Sequence, residues 1–79
     1  MSEMKDLIEY MARSLVDNPE EVQVTEEREG ERLVLRLQVA EPDMGKVIGK
    51  QGRIAQAMRT LLKVAAVKRG ERAILEIGD

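Results

Sequence analysis

The 79-residue chain has no cysteine, histidine, phenylalanine or tryptophan, and Tyr10 is its one aromatic side chain. Each absence removes a class of chemistry. Without cysteine there is no disulfide framework, no thiolate nucleophile and no zinc–thiolate site. Without histidine there is no imidazole ligand and no general base that titrates near neutrality unaided. The core must be aliphatic, built from Leu, Ile, Val, Met and Ala. No apolar run approaches the roughly 18 residues of a membrane-spanning helix. The start, Met1-Ser2-Glu3-Met4-Lys5-Asp6, is charged and unlike a signal peptide, so the expectation is a soluble, cytoplasmic protein. The length allows a single domain, 1–79, near the lower limit for a self-sufficient core. A second subunit burying more apolar surface would be useful to a chain this small.

The net charge of −2 is unpromising for a protein that meets a polyanion, but its distribution is uneven. Residues 1–43 hold twelve acids and five bases, a balance of −7. Residues 44–70 hold Lys46, Lys50, Arg53, Arg59, Lys63, Lys68 and Arg69 and no acid, a balance of +7. Asymmetry of this kind points to one surface facing an anionic partner. A solvated basic helix face accounts for the charge run equally well.

Periodicity divides the chain into elements. Met4, Leu7, Ile8, Met11 and Leu15 recur at helical spacing and stack on one side, and Asn18-Pro19 ends that helix because proline disfavours helical geometry in the residue before it. Val22 and Val24 share one strand face, and Leu33, Leu35, Leu37 and Val39 share another. Glu29-Gly30 lies between them as a tight turn, which predicts a hairpin. Glu41-Pro42-Asp43 has helix-start chemistry. The helix it opens is expected to be short, interrupted at Gly49 and Gly52, with a longer helix from about Arg53. There Ile54, Met58, Leu61, Leu62 and Ala65 form the apolar side, and Gly70 follows as a stop. Ala73, Leu75 and Ile77 share a face of a last strand. The expected fold class is α+β, in the order helix-strand-strand-helix-helix-strand, with a three-stranded sheet and the helices packed on one face.

The most informative run is Gly45-Lys46-Val47-Ile48-Gly49-Lys50-Gln51-Gly52-Arg53-Ile54. Glycine at both ends of Gly49-Lys50-Gln51-Gly52 lets a backbone ligand approach closely. The helix that follows offers unpaired amides and the positive end of its dipole to an anion. Lys50 inside the loop, with Lys46 and Arg53 beside it, completes a phosphate cradle. A nucleotide P-loop needs four residues before its Gly-Lys-Ser/Thr and a strand leading in. Here three residues separate Gly45 from Gly49, Gln51 stands where the metal-binding hydroxyl would be, and the preceding residues read as helical. G-x-G-x-x-G is also missing.

Val47-Ile48-Gly49-Lys50-Gln51-Gly52-Arg53-Ile54 resembles the signature of KH domains, a hydrophobic pair followed by G-x-x-G between two helices. The minimal strand-helix-helix-strand motif falls at about 32–77. The extra helix and strand precede it, as in type II KH domains, so the resemblance covers nearly the whole chain and is closest to small free-standing bacterial members. It implies a non-enzymatic protein whose loop clamps the backbone of about four nucleotides of single-stranded RNA, with the bases in an adjacent groove. Carried over by position, the RNA-binding candidates are Lys46, Ile48, Gly49, Lys50, Gln51, Gly52, Arg53 and Ile54, with Ile54, Leu35 or Leu37 as groove floor. The lack of aromatic platforms, on which most single-strand binders stack bases, speaks against an RRM or an OB-fold and is compatible with KH. The resemblance also implies a dimer, with a second copy or with another KH-containing protein, since one module grips few nucleotides and pairing raises affinity. No cofactor, metal or catalytic residue is expected.

Other candidates yield to plainer readings. Arg59 and Lys63 read as solvated surface at least as readily as RNA contact, whereas a merely structural turn at Gly49–Gly52 is disfavoured by its lysine and by the surrounding element order. Met4, Met11 and Met58 read as core or interface filling. Tyr10 falls off the apolar stripe and reads as surface or subunit contact. Glu20-Glu21 and Glu26-Glu27 read as a solvated acidic face. A protein-interaction module that retains the KH fold is the alternative function.

Overall fold

A computed structural model of the chain describes residues 3–78, with residues 50 and 51 described through their backbone alone. Helix α1, Glu3–Leu15, is followed by a single 3-10 turn at Pro19–Glu21. Strands β1, Gln23–Glu29, and β2, Arg32–Gln38, form the expected antiparallel hairpin. Gly30 makes its turn at φ 64°, a conformation glycine adopts without strain. A second 3-10 turn, Glu41–Asp43, leads into helix α2, Met44–Lys68, and strand β3, Arg72–Ile77, closes the fold. The sheet order is β1-β2-β3, with β3 parallel to β2. A parallel neighbour requires a long crossover, and α2 is that crossover.

The α+β class, the hairpin and the one-sided helical layer are as the sequence predicts. Val24, Leu33, Leu35, Leu37 and Leu75 on the inner sheet face pack with Met4, Ile8 and Ala12 of α1 and with Val47, Met58, Leu62 and Ala66 of α2. The buried line of α1 is Met4–Ile8–Ala12, continued by Val16, and Leu15 is 40% exposed. The wide apolar stripe read from the sequence spans more of the helix than the sheet covers. In α2, likewise, Ala55 and Ala66 are buried and Leu61 is exposed. Small residues seat the helix close to the sheet.

The main difference lies at the glycine loop. No break in secondary structure separates a short helix from a long one. Met44–Lys68 is one helical segment, and only Gly52 within it leaves right-handed space, at φ 72°. One residue in a conformation that side chains disfavour is enough to redirect the chain, so the turn needs no longer loop. At the other end, Gly70 at φ 68° closes α2: its amide bonds to the Val67 carbonyl at 3.0 Å and the Glu71 amide to Ala66 at 2.8 Å, a Schellman stop.

The outer sheet face carries matched charge. Arg36 pairs with Glu27, Glu29 and Glu76, and Arg32 with Glu29. The hydrogen bond that Arg36 donates to Glu76, followed by the charges of Glu27 and Glu76, raises the Arg36 pKa above its ordinary value. Val34 lies between Glu27 and Ile74 in register on this face and is still only 2% exposed, because long charged side chains lie over it.

Candidate functional site

The site is built on the first half of α2. Val47 and Ile48 split in role: Val47 is fully buried and anchors the helix, while Ile48 is 45% exposed beside the glycines. Gly49 has ordinary helical backbone, and a Cβ placed there would meet nothing within 4 Å. The fold therefore does not need glycine at 49, whereas Gly52 at φ 72° does need it. Glycine at 49 keeps the surface bare.

Lys46, Gly49 and Ile54 come together with Gly45 and Leu15 around one shallow cleft of about 400 Å³. Arg53 is exposed on the next turn. The side chains of Lys50 and Gln51 lie outside the described residues; their backbone belongs to α2. Leu35 and Leu37 cannot floor a groove. Both are fully buried in the core beneath the helices, since the inner face of β2 is the face that α1 and α2 cover.

A groove that sequence reasoning did not find lies further along the same helix. Leu62, Ala66, Ala73, Ile74 and Leu75 line about 540 Å³ between α2 and β3, with Arg59, Lys63 and Arg72 along its rim. The β3 strand is at the edge of the sheet, so one row of its backbone amides and carbonyls faces outward unpaired. The sequence signal was present in Arg59 and Lys63, four apart on one helix face, but nothing in the periodicity told which element that face overlooks.

Electrostatics separate this surface from the sheet. Arg53, Arg59, Lys63 and Lys68 form no ion pair among the described residues, in contrast to the paired arginines of β2. Lys46 is engaged: its Nζ lies 2.6 Å from Asp17 Oδ2, and that hydrogen bond, with the Asp17 charge, raises its pKa above the ordinary 10.5. Burial pushes the Asp43 carboxyl up, but hydrogen bonds from the Asn18 side chain and from the amides of Asp17 and Asn18, with the Lys46 charge, outweigh it and hold the pKa below the ordinary 3.8. No group of His, Cys, Asp and Glu among the described residues could hold a metal ion, and no described helix is long and apolar enough to cross a membrane. The arrangement offers a bare, cationic helix start and an aliphatic groove. It suits binding of an extended polyanion with apolar faces.

Comparison with known proteins points the same way. Residues 5–77 match the family described as KhpA/KhpB, KH domain. The RNA-binding protein KhpA of Clostridium acetobutylicum is 58% identical over 74 residues, covering 94% of this chain and 99% of that protein. KhpA of Aquifex aeolicus is 49% identical over 77 residues, 98% of each. Among solved structures, Era bound to a 16S ribosomal RNA segment superposes with a TM-score of 0.65 at 17% identity, and Aquifex aeolicus Era with GDP and aluminium fluoride with 0.64. The match covers 94% of this chain but only 28% and 29% of the two Era chains, and shows likeness of fold.

Proposed function

The chain belongs to the KhpA/KhpB family of KH domains, and from that premise we propose that it binds single-stranded RNA by its backbone at Gly49-Lys50-Gln51-Gly52, with bases laid along the α2–β3 groove. The observation that carries this reading is the contrast in charge. Among the described residues Arg53, Arg59, Lys63 and Lys68 of α2 form no ion pair, on a helix that carries a glycine the fold does not require, while Arg28, Arg32 and Arg36 of the hairpin are neutralised by neighbours. Lys46, Ile48, Gly49, Lys50, Gln51, Gly52, Arg53 and Ile54 form the grip, and the outward edge of β3 supplies hydrogen-bonding groups to base edges. Aliphatic Ala73 and Ile74 take the place of aromatic platforms. The role is that of a cytoplasmic RNA chaperone or post-transcriptional regulator without catalysis, occupying the whole chain as one domain.

A second module completes the grip, either another copy of this chain or a KH-containing protein of the KhpB/Jag type. Leu61, Val64 and Val67 are 47%, 50% and 67% exposed on α2, an apolar face that supports pairing. The same face favours the second reading, a protein-interaction module that retains the KH fold.

Titrating a short single-stranded RNA into isotopically labelled protein separates the two. Amide shifts are expected over residues 46–59 and along β3, and affinity should fall with salt at a slope of about −0.7 per phosphate contacted. Shifts confined to α1, or an affinity indifferent to salt, would rule out backbone clamping. Asp17→Asn should also raise affinity about two- to threefold by freeing Lys46, the scale expected of one exposed ion pair. Equal binding by parent and variant in a fluorescence anisotropy titration would show that Lys46 does not reach RNA.

A further inference from the structure

Among the described residues one charged side chain is buried: Asp43, 1% exposed, at the N-terminal boundary of α2. An aspartate there ordinarily turns back to accept its own helix's unpaired amides, and Asp43 makes no such bond. Its carboxylate reaches across to another element. Oδ1 accepts from the Asp17 amide at 3.2 Å, and Oδ2 accepts from the Asn18 amide and from Asn18 Nδ2, each at 3.0 Å. These donors stand just past the end of α1. The Val16 amide still bonds to Ala12 at 3.2 Å, and the next two amides turn to Asp43.

We propose that Asp43 is the positioning residue of the glycine loop: it locks the exit of α1 to the first turn of α2 and so sets where Gly49 to Gly52 is presented, without touching RNA itself. The proposal rests on the reading of that loop as the RNA grip. Six residues of helix, about 9 Å of rise, separate Asp43 from Gly49, too short a span for the loop to move independently of its root. The Lys46–Asp17 pair spans the same junction but is exposed, and an exposed pair fixes little orientation. The cleft lined by Leu15, Gly45, Lys46, Gly49 and Ile54 spans this junction and takes its shape from it. Apolar packing would hold two helices together at least as well as a buried carboxylate. What the carboxylate adds is direction, because two oxygens engaging three donors fix the orientation of one helix end against the other.

A residue that only stabilises the fold lowers the competent fraction, which scales the dissociation constant and leaves the number of phosphates contacted unchanged. A positioning residue changes that number. The test therefore compares Asp43→Asn and Asn18→Ala in the full chain at a temperature where circular dichroism shows both folded. The probe is a fluorescein-labelled single-stranded RNA titrated at several salt concentrations, with Lys50→Asp/Gln51→Asp run alongside. Asp43→Asn is expected to lose about fivefold in affinity, with a salt slope shallower by about 0.7, one phosphate contact. Amide exchange over residues 44–52 should quicken while residues 58–66 keep their protection. Asn18→Ala, which leaves both backbone bonds in place, should move in the same direction by less. Parent affinity and parent slope in a folded Asp43→Asn protein would overturn the proposal. If that variant does not fold, Asn18→Ala decides, and an unchanged affinity and slope there overturns it equally. Parent-strength binding by the loop variant would instead overturn the RNA-loop reading beneath it. Loss by the loop variant with none by Asp43→Asn overturns the positioning role alone.

Discussion

A chain carrying Lys50→Asp together with Gln51→Asp is expected to lose single-stranded RNA binding by at least about a hundredfold, near 3 kcal/mol, while remaining folded. The substitutions lower the charge of residues 44–70 from +7 to +4 and put two carboxylates where a phosphate chain has to lie. A pair of like charges about 4 Å apart costs about 1 kcal/mol in bulk water and about 4 kcal/mol at the effective dielectric of a protein surface. Two such repulsions with one attraction removed reach the stated loss easily. The fold has little at stake, because backbone at both positions is helical and aspartate is a poorer helix former by roughly 0.5 kcal/mol each. A combined loss near 1 kcal/mol shifts melting by about 4–8 °C in a domain of this size. Anisotropy titration and thermal melting of the same samples check both halves. Undiminished binding would remove the loop from the mechanism.

This expectation explains how a chain with net charge −2 can hold a polyanion. Long-range attraction depends on the charge facing the ligand within a Debye length, about 8 Å at physiological salt, more than on the total. Acids of the sheet are spent on its arginines: Glu27 and Glu29 of the hairpin and Glu76 of β3 pair with Arg36, and Glu71, just before β3, pairs with Arg28. On α2, Arg53, Arg59, Lys63 and Lys68 have no such partners among the described residues. The two surfaces are held apart by the thickness of the fold, and on the proposed reading the neutralised sheet face offers RNA little while the helix face attracts it. Orientation of the bound strand follows from the division.

Much of the fold was legible because local pattern and tertiary demand coincide. The alternation Leu33, Leu35, Leu37 has one possible buried face in a one-sided sheet, and Gly30 between two alternating runs permits little but a hairpin. The shortfalls share one cause, which is that a residue's partner lies far away in sequence. Leu35 and Leu37 read as groove floor only while it is unknown that both helices lie over β2. Asp43 read as a helix-starting acid, and its carboxylate serves residues 25 and 26 positions earlier. The α2–β3 groove joins side chains of the helix to a strand edge whose exposure only sheet order reveals. At the loop, two glycines looked equivalent in sequence, and backbone conformation separates them.

That separation gives opposite expectations for the two glycines. Gly52→Ala places a Cβ on backbone at φ 72° with open space around it, so the penalty is conformational, about 1–2 kcal/mol of folding stability. Gly49→Ala meets no strain and no neighbour within 4 Å, and alanine is the better helix former by about 0.8–1.0 kcal/mol. Stability should rise by up to that amount in a urea titration, with no change in the slope of the transition. RNA binding should fall by about tenfold in the same variant, a loss near 1.4 kcal/mol, because on the proposed reading the added methyl stands where the sugar-phosphate chain makes its closest approach. A protein made more stable and a poorer binder by a single methyl cannot be explained by damage to the fold. If Gly49→Ala binds RNA at parent strength, the missing side chain at 49 serves no ligand, and the close-approach account of the loop fails even should Lys50 prove essential. If it destabilises instead, the backbone at 49 is not helical and the contrast with Gly52 is lost.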